Sequence, residues 1–206
     1  METKSKEISH PNQRIDPVKS TIEIYNKNAD QFIAKWDKLF LNKEYEFFKK
    51  HLDVGCGHGR DAERFYIENY DVIGIDLSES LLEHAIKRAP GARFFKRDMR
   101  KLQFPPNCFD GIWCNSSLHH IPKNEVEETL VGFARVLKYT GIMFITVKAG
   151  ENEAVDGAGR FYSYYKEDEL KKMLESIRIT NIRVIDIEKV LSNNEEWINA
   201  FAMKVY

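Results

Sequence analysis

Cysteine is scarce in this 206-residue sequence, which has only Cys56, Cys108 and Cys114. The count is odd and no two form a Cys-x-x-Cys pair. Neither a disulfide framework nor a zinc site is therefore expected, and the thiols read as reduced. Long apolar runs are missing too, with none near the roughly eighteen residues that suggest a membrane span. The opening stretch METKSKEISHPNQR has no apolar stretch of the secretory type. An excess of one charge is also absent: 31 Lys and Arg stand against 32 Asp and Glu, so no global basic field favours nucleic acid. The expectation is a cytoplasmic protein, monomer or homodimer, with no membrane or metal partner. With 43% hydrophobic residues the chain can fill a sizeable core, which fits one domain with a small appendage.

Three stretches differ in pattern. Residues 1–16 are polar, punctuated by Pro11, and read as a mobile leader. Residues 17–50 place Ile22, Tyr25, Ala29, Phe32, Trp36 and Leu39 near spacings of three and four, which predicts a helical segment. It either covers the following domain as a lid or adds a helix to its core. Residues 51–206 then alternate strand and helix signals. Short apolar strands are predicted at 52–54, 72–75, 93–96, 109–114 and 142–147. Helices are predicted at 61–69, at 79–88 behind a Ser78 cap, from Asn124 to Thr140-Gly141, and at 166–176. A ten-residue loop is expected at 151–160, and strands at 182–187 and 197–205 form an antiparallel pair. Five β-then-α repeats and a closing hairpin predict an open α/β sheet with helices on both faces.

The chemistry concentrates where the first strand ends, in His51-Leu-Asp-Val-Gly-Cys-Gly-His-Gly59. Glycines there allow a sharp turn and a close ligand approach. Their spacing, Gly55, Gly57 and Gly59, is GxGxG. The dinucleotide fingerprint wants its third glycine one place later, where Arg60 stands. Asp76 ends the next strand, 17 residues after Gly59. An acid there can accept hydrogen bonds from ribose hydroxyls; alone it could equally cap the helix that follows.

Together these segments resemble class I S-adenosylmethionine-dependent methyltransferases. Leu-Asp-Val-Gly-Cys-Gly-His-Gly is similar to their first motif, Val-Ile-Gly-Ile-Asp-Leu-Ser to their second, and Arg97-Asp98-Met99 to their adenine-binding motif. Phe109-Asp-Gly-Ile-Trp-Cys-Asn115, continuing to His119-His120, resembles the fourth. The nearest group is the small bacterial-type one related to quinone-biosynthesis methyltransferases, whose N-terminal helix carries a tyrosine like that of Ile24-Tyr25-Asn26. The resemblance implies a Rossmann-like, mostly parallel seven-stranded sheet with an antiparallel C-terminal hairpin and helices on both faces. It implies S-adenosylmethionine as cofactor. The implied contacts are Gly55, Cys56, Gly57, Gly59, Leu77, Met99 and Asn115 around it, Asp76 at the ribose and Asp98 at the adenine. Asp53 and Tyr25 would meet the methionine end, beneath a cap formed by residues 17–50.

Candidates for removing a proton from the acceptor are His119, His120 and Tyr165. Adjacent residues in extended chain point opposite ways, so at most one histidine is expected to face the cofactor; one closing the turn and one exposed is the competing reading. Arg160-Phe-Tyr-Ser-Tyr-Tyr165 frames an acceptor pocket or simply packs the start of a helix. Adjacent histidines make a poor metal pair, and no metal is expected. A small-molecule acceptor is favoured. RNA is the alternative, through Arg93, Lys96, Arg97, Arg100 and Lys101, and a non-catalytic S-adenosylmethionine-binding module is a third reading.

Overall fold

The computed structural model describes residues 16–36, 50–177, 182–192 and 195–206. Residues 1–15 of the leader expected at 1–16, and the helical pattern at 37–49, including Leu39, lie outside them. Helix α1 (Pro17–Lys27) begins where the Asp16 carboxylate accepts the Val18 N–H at 3.0 Å, with Pro17 supplying a φ already suited to a first helical residue. It ends at Asn28, whose backbone N–H and side-chain amide both donate to the Ile24 carbonyl, and α2 (Ala29–Trp36) follows.

The rest is built on β1 (Lys50–Val54), α3 (Arg60–Ile67), β2 (Asp71–Asp76), α4 (Glu79–Arg88), β3 (Arg93–Lys96), β4 (Phe109–Asn115), α5 (Lys123–Val136) and β5 (Leu137–Lys148). Then come β6 (Glu153–Val155), β7 (Phe161–Ser163), α6 (Glu167–Ser176), β8 (Ile182–Ser192) and β9 (Glu195–Lys204). Seven strands form one sheet in the order β3-β2-β1-β4-β5-β9-β8, parallel from β3 to β5 and antiparallel in the last two. This is the Rossmann-like sheet that the sequence predicts. Both faces are buried: Ile112 and its neighbour Trp113 in β4 enter separate hydrophobic clusters, as strand alternation requires. Ser78 caps α4 as expected, accepting the Leu81 N–H.

Between β3 and β4, where no helix is predicted, lies a 3-10 turn, Met99–Lys101; Pro105 and Pro106 follow, and proline lacks the N–H a helix interior needs. Two elements depart from expectation. The helix expected to reach Thr140 ends at Val136, and β5 starts at once, with Thr140 at φ 64 beside a register shift against β4. The loop expected at 151–160 contains β6, which pairs antiparallel with β7. Three-residue strands are too short for alternation to reveal them. The carboxylate of Asp156 organises the turn between them, accepting the backbone N–H groups of Ala158 and Arg160.

Candidate active site

Ligands in open α/β sheets bind beyond the carboxyl ends of the parallel strands. A cavity of about 280 Å³ lies there, walled by the ends of β1, β2, β4 and β5, by α1, and by β7 and β9. At the end of β1 the Gly55 and Cys56 N–H groups donate to the Ile75 carbonyl, which fixes the turn. The three glycines do different things. A Cβ on Gly55 would lie 2.3 Å from the Ser117 Cβ. Gly57, at φ 53, has only Leu81 near, at 3.9 Å, so its bare backbone borders open space. Gly59, at φ 80, packs the start of α3 against α4, where a Cβ would meet the Ala85 Cα at 2.8 Å. Gly59 does not line the cavity. Its expected ligand contact is corrected to a helix-packing role.

Four carboxyl groups face this half of the cavity. Asp76 accepts the Gly57 N–H through Oδ2 and the Ser78 N–H through Oδ1, each at 2.8 Å. An ionised carboxylate has about four acceptor positions, so two remain beyond the backbone pair. Burial raises its carboxyl pKa, and the backbone donors pull it back. It therefore braces the turn and faces the cavity. Asp53 is 2% exposed, and its Oδ2 has no hydrogen-bond partner among the described residues. Burial, then the charge of Asp61, pushes its pKa well up. Asp61 moves the other way. Burial opposes ionisation, but Arg60 at 2.7 Å, the Trp113 indole and the Asn115 amide hold its pKa at about 2. Asp98 accepts the Arg100 N–H and pairs with its guanidinium at 2.7 Å. Cys56, Leu77, Met99 and Asn115 complete this side.

Helix α1 lies across the opening with Val18, Ile22 and Tyr25 facing in. Side-chain hydrogen bonds tie it down: the Ser78 hydroxyl donates to Asn26 Oδ1 at 2.5 Å, and Thr21 Oγ1 accepts the Phe161 N–H at 3.0 Å.

The second half is aromatic. His119 and His120 both line the cavity, contrary to the expectation that only one would. They sit in the 3-10 turn Leu118–His120 and not in extended chain, so alternation does not apply. The Phe161 carbonyl accepts from His120 Nδ1 at 2.7 Å. That fixes the proton on Nδ1 and leaves Nε2 to accept from the Tyr25 hydroxyl at 2.6 Å. Burial lowers the pKa of His120 to about 4. His119 is 2% exposed, and its Nδ1 has no partner among the described residues. Burial, then His120, Lys148 and Arg160, lowers its pKa well below the usual range. Tyr165 is corrected: its ring is fully buried in the main core and does not line the cavity. Tyr162, within β7, lines the cavity, whereas Tyr165 follows that strand and packs in the core.

Sequence reasoning missed Lys148, Trp197 and Arg60 at this site. Lys148 ends β5 at the carboxyl edge of the sheet, and the carboxyl-end rule could have flagged it. Trp197 arrives only because β9 pairs it with Lys148, and no local signal marks it.

Residues 52–141 match the family model described as a methyltransferase domain. Over 132 residues the chain is 31% identical to YqeM of Bacillus subtilis, named as a methyltransferase, a match covering 56% of this chain and 53% of that protein. A match of 186 residues at 25% identity to the glycine/sarcosine N-methyltransferase of Aphanothece halophytica covers 80% and 70%. The chain thus spans about half the length of YqeM. Among solved structures, 1,6-didemethyltoxoflavin-N1-methyltransferase of Burkholderia thailandensis, holding 1,6-didemethyltoxoflavin and S-adenosylhomocysteine, aligns with a TM-score of 0.71 at 18% identity over 97% of this chain and 94% of its own. The fold is therefore that of the Rossmann-like methyltransferases.

Proposed function

We propose that the chain is an S-adenosylmethionine-dependent methyltransferase acting on a small-molecule acceptor. The observation that carries the reading is the grouping of Asp53, Gly57 and Asp76 on one half of a cavity whose other half is aromatic. A bare glycine backbone and an acid with spare acceptor positions suit an adenosyl ribose, and the unpartnered Asp53 oxygen suits an ammonium group. When bound, the cofactor supplies a methyl group already activated by a sulfonium.

The protein's own contribution is to align the acceptor, exclude water and take up its proton. Helix α1 covers the opening in agreement with a capping role, and Tyr25 reaches across it to His120. Both ring nitrogens of His120 are engaged, by Tyr25 and by the Phe161 carbonyl, which leaves His119 as the imidazole assigned to the acceptor's proton in this reading. Bound S-adenosylmethionine would supply the methyl group to the acceptor's lone pair, and His119 would take up the acceptor's proton. Kinship with the quinone-biosynthesis group and a cytoplasmic location belong to the same proposal; no described helix is long and apolar enough to cross a membrane.

The basic stretch that suggested RNA is largely engaged. Arg93 pairs with Asp71, Lys96 with Glu79, and Arg100 with Asp98 and Glu125. That favours the small-molecule reading. Calorimetry tests it: S-adenosylmethionine and S-adenosylhomocysteine bind and NAD does not, while NAD binding alone would overturn it. Labelled-methyl transfer into cell extract that survives ribonuclease separates a small-molecule acceptor from RNA.

A further inference from the structure

The cavity has two electrostatic halves. Around Gly57 its lining carries Asp53, Asp61, Asp76 and Asp98 against Arg60 and Arg97. The opposite half carries Lys148 and Arg160 against Glu195 alone. These two cations are well sheltered, with side chains 15% and 13% exposed. Both stand over the Tyr162 ring, the Lys148 ammonium 4.6 Å and the Arg160 guanidinium carbon 5.3 Å from its centroid. Trp197 lies 5.6 Å from Lys148.

Holding two sheltered cations in one pocket costs desolvation, and among the described residues each has a single close carboxylate to offset it. Glu195 meets Lys148 at 2.9 Å, taking one of three ammonium donors. Asp156 pairs with Arg160 but does not line the cavity, so its charge lies behind the guanidinium. The other titratable groups on this side add no charge. Burial and the two cations hold His119 and His120 neutral, and burial keeps the Tyr25 and Tyr162 phenols protonated. The cations therefore set the sign. A protonated amine entering here meets like charge, whereas a flat anion finds donors and an aromatic wall together.

Resting on the methyltransferase reading, we propose that the acceptor is a small planar acid, its carboxylate held on the Lys148–Arg160 side and its ring against Tyr162 and Trp197. The two ion pairs would otherwise be struts that close the site without choosing a ligand.

The test loads the full chain with S-adenosylhomocysteine and titrates four probes by ligand-observed NMR: benzoate, cyclohexanecarboxylate, methyl benzoate and benzylammonium. Benzoate is expected to bind about tenfold tighter than the ester and the amine, and more tightly than the saturated acid. Lys148→Met and Arg160→Met should each weaken benzoate by about tenfold, the loss of one charge-assisted contact. Calorimetry of S-adenosylhomocysteine in each variant reports whether the cofactor half still folds, and Lys148→Met decides alone if the arginine variant does not. Benzoate bound no tighter than its ester, bound equally by Lys148→Met, or not bound at all would overturn the assignment. Failure of the wild type to bind S-adenosylhomocysteine would instead sink the methyltransferase reading beneath it.

Discussion

Asp76 braces the fold with the same two oxygens that the proposed ribose contact uses, so its removal has two separable costs. Asp76→Ala strands the Gly57 and Ser78 N–H donors, lowering stability by about 1–3 kcal/mol in a denaturant melt. It also removes the proposed ribose partner, weakening S-adenosylhomocysteine by roughly 1.5–3 kcal/mol in calorimetry. A stability loss with unchanged affinity would leave Asp76 as a turn brace only. Histidine gives a second handle. Burial drives the His51 pKa to about 3, and its ring lies 3.7 Å from that of Phe65. Unfolded, His51 takes a proton as pH falls through about 6.5; folded, it does so only near 3. The unfolded state binds more protons between those values, so this stabilisation is full above about 6.5 and drains away on acidification. Asp53, with its raised pKa, acts in the opposite direction, so the comparison to make is with a variant. Between pH 7 and 4.5 the wild type should lose about 2–3 kcal/mol more than His51→Leu; parallel melting curves would contradict the assignment.

Among elements, the turn from β1 to α3 shows why equal-looking glycines respond differently. Gly59→Ala drives a Cβ into the α4 backbone at a positive φ and should cost about 1–3 kcal/mol of stability. Gly57→Ala meets open space, so its stability loss should be smaller and its loss of S-adenosylhomocysteine affinity larger. Melting and calorimetry on the two variants check that ordering. The same turn marks the limit of what sequence could tell. The strand-turn-helix setting of Gly55–Gly59 and Asp76 was legible because both signals are local. The packing duty of Gly59 was not, since it depends on Ala85 in another helix. Nor were β6 and the inward turn of Tyr162 in place of Tyr165, because a three-residue strand leaves no period to read. The histidine pair misled for a related reason: a 3-10 turn replaced the extended chain assumed there.

For the whole molecule, α1 bridges elements far apart in sequence. Its ties run to Ser78 and Phe161, and Tyr25 reaches His120. If residues 17–27 cap a bound cofactor, S-adenosylhomocysteine should slow their amide hydrogen exchange about tenfold or more, one local opening being worth at least 1.4 kcal/mol more in the complex. Unchanged exchange would make α1 a fixed wall.

The sheet order carries a further consequence, for the timing of synthesis. The glycine turn, Asp53, Asp76 and Asp98 all precede residue 118, whereas Lys148, Arg160, Tyr162 and Trp197 follow it. Strand β9 is inserted between β5 and β8 although both come earlier in the chain. A nascent chain emerging from the ribosome thus completes first the half of the cavity proposed for the methyl donor. The half proposed for the acceptor closes only when β9 slots into the sheet between two strands already made.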